Sequence, residues 1–385
     1  MNSTVSFARV RAMVTACAFS ILLTACGGST DDVSTETTPG DSPVATAPPA
    51  TPQPAPTPPA APAPPATPAA APAPAPAPAP APSGANLLFK SGFDGGSLAI
   101  RPPSDCWGTG CWQDLVGFDS ISSFTWPTEV WGGGGKILML SSPVTTNAAT
   151  MASYMFNRLE SVTAHDGRES TALYQQITQN ANGTAPMGTS PMQNEFVFLP
   201  KRESGDMYVS YWMKLQPDLV EKMNDLPAGP GISGGGTWRA VFALKTGGQT
   251  SWGGPADNGD YRIEAYVMTY GGGQPYWVVL GDNNAGGGAP AANAWRVENR
   301  NVRVPVGEWF KFEIFWHRSA GTDGRVWMAI DGQTVADRRG ANMGAWSMPI
   351  NRIMAPILYT GSAMPVYQWI DDVQIWDGIP AGRTP

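Results

Sequence analysis

The sequence predicts an all-β fold in which two antiparallel sheets pack as a sandwich or jelly roll, and three observations carry that prediction. Apolar and polar residues alternate with a period of two over many short runs, glycine-rich breaks separate the runs, and aromatic residues crowd one long C-terminal region. All 15 tryptophans lie at or beyond Trp107. They supply ample aromatic mass for a core across residues 86–385, about the length of one large all-β domain.

The clearest run is 207–215. Tyr208, Ser210, Trp212 and Lys214 take one face, and Met207, Val209, Tyr211, Met213 and Leu215 the other. The same alternation predicts strands over 172–178, 238–245, 261–270, 276–280, 309–317, 325–331, 353–359 and 366–376. Gly271-Gly272-Gly273, Gly286-Gly287-Gly288 and the 321–324 turn break the chain between several of them. Only 218–224 reads as a helix, a short one, with Pro217 before it.

The N-terminal part is organised differently. Arg9 and Arg11 precede an apolar run over 12–23, a secretory-signal layout too short to span a bilayer permanently. Leu23-Thr24-Ala25-Cys26 resembles the lipobox of bacterial lipoprotein signal peptides. That resemblance implies cleavage before Cys26, lipidation of its thiol, and a mature protein held at the cell envelope, on the outer membrane or cell surface. Residues 1–25 are then a signal peptide. Residues 26–42 are small, polar and acidic and are expected to be disordered. Residues 43–85 form a linker in which 43–82 hold 18 prolines, 16 alanines and no charge. Such a run favours extended polyproline II, and at about 3.1 Å per residue it reaches roughly 120 Å from an anchor.

Without Arg9 and Arg11 the 24 basic residues fall to 22 against 31 acidic ones, a net charge near −9. That balance argues against a nucleic-acid partner, which rewards a basic surface. It leaves room for a local basic cleft and an anionic sugar. A single tethered domain is expected to be a monomer. Of the four cysteines, Cys17 leaves with the signal and Cys26 is lipidated. Cys106 and Cys111 remain, and outside the cytosol they are expected to close a disulfide loop. A metal site is the alternative, but it needs two more ligands, and His165 and His317 are the only histidines. Trp107 and Trp112 either pack on that disulfide or face a sugar ring.

The C-terminal third carries a family resemblance. Pro305-Val306-Gly307-Glu308-Trp309, the strand ending at His317, the glycine turn and Val326-Trp327-Met328-Ala329-Ile330-Asp331-Gly332 resemble concanavalin A-like sandwich domains, as does the closing Trp369-Ile370-Asp371-Asp372-Val373 run. Gly167-Arg168-Glu169 and the 208–215 stretch are similar to the polysaccharide lyase branch of that superfamily. The resemblance implies a jelly roll that engages polysaccharide, with no cofactor beyond a structural calcium.

A β-elimination lyase needs a group that neutralises a uronate carboxylate and a base that takes the α-proton. Strand parity offers Arg168, Tyr174 and Gln176 on one outward face, if the strand runs unbroken from Arg168. Arg168 and Gln176 are the candidates for the carboxylate, and Tyr174 or His317 for the base. Arg262, Glu264, Tyr266 and Lys311 project outward from two other strands and are candidates for substrate binding. Such faces are also polar simply because they are wet. Where the best-known alginate lyase pattern would have histidine after Gln176-Ile177, this chain has Thr178. A retaining glycosidase would show Glu-x-Asp-x-x-Glu on one strand, and a serine hydrolase a Gly-x-Ser-x-Gly elbow; neither occurs. A non-catalytic carbohydrate-binding protein and a structural or adhesive envelope protein remain as alternatives.

Overall fold

A computed structural model describes residues 84–107, 110–126, 136–141, 147–178, 192–198, 205–225, 237–246, 260–270, 273–284, 292–343 and 350–383. The signal peptide, the lipid site at Cys26, the polar segment, the proline and alanine run over 43–82 and the Gly286 turn lie outside them. The predicted fold class holds. Two sheets face each other across one apolar core, and every strand pairing among the described residues is antiparallel.

The smaller sheet runs β17 (Gln333–Arg339), β16 (Arg325–Ile330), β15 (Trp309–His317), β10 (Asp206–Leu215), β19 (Val366–Trp376), β8 (Glu169–Ile177) and β7 (Met155–Thr163), with β1 (Leu87–Ser91) also on β19. The larger runs β14 (Ala292–Asn299), β13 (Tyr276–Asn284), β12 (Asp260–Met268), β11 (Trp238–Thr246), β18 (Ile350–Thr360), β9 (Met192–Phe198), β6 (Lys136–Ser141), β4 (Gly110–Asp119) and β2 (Ala99–Ile100). β3 (Ser104–Trp107) and β5 (Phe124–Trp126) also pair with β4.

Strict alternation builds the centre of the smaller sheet. Met207, Val209, Tyr211, Met213 and Leu215 of β10 point inward beside Phe310, Phe312, Ile314 and Trp316 of β15, all fully buried. Tyr211 stacks on Phe312 at 4.9 Å, and its hydroxyl donates to the Val241 carbonyl across the sandwich at 3.0 Å. A second tie between the sheets is polar. Arg239 on β11 is fully buried and donates to Gln216 Oε1 (3.0 Å), the Tyr367 carbonyl (2.8 Å) and Gln368 Oε1 (2.9 Å). Burial pulls its pKa down to about 9.

Two β-bulges depart from simple alternation. On β11 the register slips between Ala240 and Phe242, so Val241, Phe242 and Leu244 face the core while Ala240 and Ala243 share the other side. On β19 an extra residue beside β10 puts Asp372 at φ 49°, a left-handed conformation that aspartate tolerates better than most residues. Asp371 and Asp372 thus shape a strand rather than a turn.

The expectation of a single helix is corrected. Besides α2 (Leu219–Asn224) there is α1 (Ala148–Tyr154), whose N-cap Asn147 accepts a hydrogen bond from the Thr150 amide at 2.9 Å. The Cys106–Cys111 disulfide is formed. Adjacent strand residues point oppositely, so Cys111 enters the core while Trp112 joins Met354 and Ile357 on the far side of the larger sheet.

Candidate functional site

The outer face of the larger sheet gathers rings and charges on neighbouring strands. The slip in β11 turns Ala240 and Ala243 outward, opposite Tyr266 and Glu264 of β12. Ala240 and Ala243 are each 1% exposed, so the larger side chains around them close over the slip and form the surface. Trp238 lies 4.6 Å from the Tyr359 ring and 5.9 Å from the Tyr266 ring, edge-on to both. Trp112, Met354 and Ile357 extend the same apolar cluster. Beyond Ala243 the register sets Lys245 opposite Arg262, and Arg262 Nη1 lies 3.7 Å from Glu264 Oε1. Rings at one end and charges at the other share one face of neighbouring strands.

Three of the residues expected to bind substrate, Arg262, Glu264 and Tyr266, therefore belong together. Lys311 does not join them. It projects from β15 on the outer face of the opposite sheet, where burial lowers its pKa. Parity told outward from inward on each strand, but it could not tell which sheet a strand would enter.

The four residues expected to be catalytic are also dispersed. Tyr174 and Gln176 share the outer face of β8, and the Tyr174 hydroxyl donates to Gln176 Oε1 at 2.7 Å. Arg168 does not project with them, because β8 begins at Glu169 and Arg168 sits in the turn before it. Its side chain is 84% exposed and pairs with Asp166, whose pKa it lowers. His317 is farther still. Register carries Tyr174 across Trp369 and Lys214 to Trp309, and His317 ends the same strand about 27 Å beyond Trp309 at roughly 3.4 Å per residue. There its ring contacts Asp206 at 2.6 Å and Asp323 at 3.5 Å. The four share no groove.

Their chemistry points the same way. Burial, opposed by the nearby Arg158 charge, pushes the Tyr174 phenol up to about 12, so little phenolate exists at neutral pH. His317 is raised, its partial burial outweighed by the two carboxylates that face it, which favours the imidazolium over a free base.

Much of the smaller sheet's outer face is closed by the chain itself. Ile379 packs with Tyr208, Phe315, Trp327 and Trp376, and Arg383 reaches the buried Glu313 at 3.1 Å, to which the Tyr208 hydroxyl also donates at 2.5 Å. For a cation, the nearest gathering of carboxylates is Asp94, Asp371 and Asp372 around Gly92. The oxygens of Asp94 and Asp371 already accept from Ser170, the Thr171 amide and the Asp372 amide, and Asp372 Oδ2 lies 3.4 Å from His165 Nε2. Among the described residues no group of three or more His, Cys, Asp or Glu side chains is arranged to hold a metal.

No family model matches the chain, and no curated protein matches it. Among solved structures it is similar to the alginate lyase Aly36B, with 12% identity over 60% of this chain and 88% of that one and a TM-score of 0.36. It is also similar to an endo-β-1,4-glucuronan lyase from the fungus Trichoderma reesei (13% identity, 58% and 90% covered, TM-score 0.37) and to the cellulose-induced protein Cip1 (16%, 60% and 89%, TM-score 0.31). Likeness of this size transfers neither an activity nor a residue role to the present chain.

Proposed function

We propose that this protein holds an acidic polysaccharide against the outer face of its larger sheet. The observation that carries this reading is the half-buried ring cluster of Trp238, Tyr266 and Tyr359 packed over Ala240 and Ala243, with Arg262 and Lys245 alongside. Partly exposed rings offer apolar surface to a sugar, and neighbouring cations meet a uronate carboxylate. Alginate and glucuronan, polymers acted on by two of the similar enzymes, are the first probes. Trp238→Ala is expected to weaken binding about tenfold, the equivalent of 1.4 kcal/mol, and Arg262→Ala about ten- to a hundredfold for acidic polymers only. Titration calorimetry reads both. Unchanged affinity in the two variants would sink the assignment.

Cleavage by β-elimination is the second reading. It is favoured by two phenols, Tyr266 and Tyr359, on the same face as two cations. A cation there neutralises the carboxylate and a phenolate takes the adjacent proton. The electron pair then forms a carbon–carbon double bond as the glycosidic oxygen leaves and is protonated. Rising ultraviolet absorbance during incubation with alginate or glucuronan supports it; retained binding with no absorbance change leaves a binding protein.

The setting belongs to the same proposal. With a lipid on Cys26 and an extended spacer, the domain meets its polymer at the cell envelope. Cys26→Ser is expected to move the protein from the membrane to the soluble fraction, and a variant that still sediments with membranes would refute the anchor.

A further inference from the structure

A second row of rings and cations lies on the opposite face of the sandwich. Register sets Arg158, Tyr174, Trp369 and Lys214 side by side on β7, β8, β19 and β10. The Arg158 guanidinium carbon lies 4.6 Å from the Tyr174 ring centre, the Tyr174 and Trp369 rings are 5.2 Å apart, and Lys214 Nζ lies 5.5 Å from the Trp369 ring. Tyr367 widens the platform, 5.3 Å from Trp369. The C-terminal segment that closes the other end of this face packs on Tyr208, Phe315 and Trp327. In the row itself Tyr174 is buried beneath Arg158, whereas Trp369, Tyr367 and Lys214 are half-exposed.

The row also has a wall. β8 stops pairing with β19 at Leu173, and the β7–β8 hairpin then crosses back over the sheet. His165 near its tip stacks on Trp212 of β10 at 3.7 Å, and the Thr163 carbonyl accepts from Trp309 Nε1 of β15 at 2.8 Å. The row therefore lies in the elbow of the hairpin.

We propose that this elbow is a second glycan-binding surface, which takes an acidic polysaccharide running across the strands. Neighbouring strands are about 4.8 Å apart, a spacing comparable to one sugar unit along an extended chain, so the Trp369 and Tyr367 rings of β19 and the Lys214 ammonium of β10 meet successive sugars. Charge selects the polymer. Glu160 occupies Arg158 at 2.6 Å and accepts from Trp369 Nε1 at 3.3 Å, so this end of the row already binds a carboxylate. Lys214 at the other end has no carboxylate partner among the described residues and stands over a tryptophan face. It is the cation left for a uronate. This surface is independent of the one on the larger sheet.

Calorimetry of the full chain with alginate oligomers tests it, since the two faces can be silenced separately. The wild type is expected to show two sites. Lys214→Glu should lower the affinity of one at least tenfold and leave the other, whereas Trp238→Ala should do the converse. Lys214→Gln should fall between wild type and the charge reversal. A single wild-type site that Lys214→Glu leaves unchanged overturns the second surface while preserving the first. A single site lost in Lys214→Glu but intact in Trp238→Ala overturns the first and preserves the second. Equal binding of neutral xylan at this site, insensitive to Lys214→Glu, overturns the assignment to an acidic polymer.

Discussion

Gln216→Leu is expected to cost about 3–5 kcal/mol of stability although it preserves the volume and removes no charge. Gln216 is fully buried, and its Oε1 accepts from both Arg239 Nη1 and the Tyr367 amide. Leucine would leave a buried guanidinium nitrogen and a backbone N–H without acceptors. An orphaned partner of a charged group is the more expensive of the two, because the same burial that depresses the Arg239 pKa removes water as a substitute. The melting temperature should fall by roughly 6–20 °C, given about 2–4 °C per kcal/mol for a large domain. Coupling gives a sharper check. Adding Arg239→Met removes the group that Gln216→Leu strands, so the double variant should be less destabilised than the sum of the singles. Additive losses, or a loss below about 1 kcal/mol for Gln216→Leu, would mean that this network does not tie the sheets together.

How much of this was legible in the sequence varied with position in the sheets. β10 and β15 are central, and their apolar sets face one core, so alternation alone defines them. β7 and β17 are edge strands, where only a few positions need be apolar; Met155–Thr163 and Gln333–Arg339 consequently show no clear period. The candidate site was half visible. Arg262, Glu264 and Tyr266 alternate along one strand, whereas Trp238, Tyr359 and Lys245 join them only through strand pairing distant in sequence and through the slip at Ala240. The glycine-free bulge has no local signature. His317 and Tyr174 lie at the two ends of a face that parity treats as one, and only the strand order reveals the gap.

Asp371→Asn is expected to stabilise the protein above neutral pH and change little in acid. Asp371 is 3% exposed, and its pKa is pushed up to about 7, first by burial and then by the charges of Asp372 and Asp94, against hydrogen bonds from the Asp372 amide and Ser170. A carboxyl whose pKa is higher folded than unfolded binds its proton more tightly in the native state. Its favourable contribution is complete below the unfolded value and is lost as pH rises through about 7. The full displacement corresponds to about 4 kcal/mol at 1.36 kcal/mol per pH unit, and relaxation around the site brings the expected loss to about 2–4 kcal/mol. Asparagine keeps the shape, accepts from the Asp372 amide and carries no charge toward Asp372 or Asp94. Urea midpoints taken in chelator near pH 4 and pH 8 should therefore converge in acid and separate in base, with the variant the more stable. Parallel profiles would place the Asp371 proton elsewhere. Millimolar calcium at the higher pH then tests whether a cation occupies this bulge. A cation at this bulge would raise the wild-type midpoint and reverse the order of the two proteins, because it rewards the carboxylate that burial alone penalises.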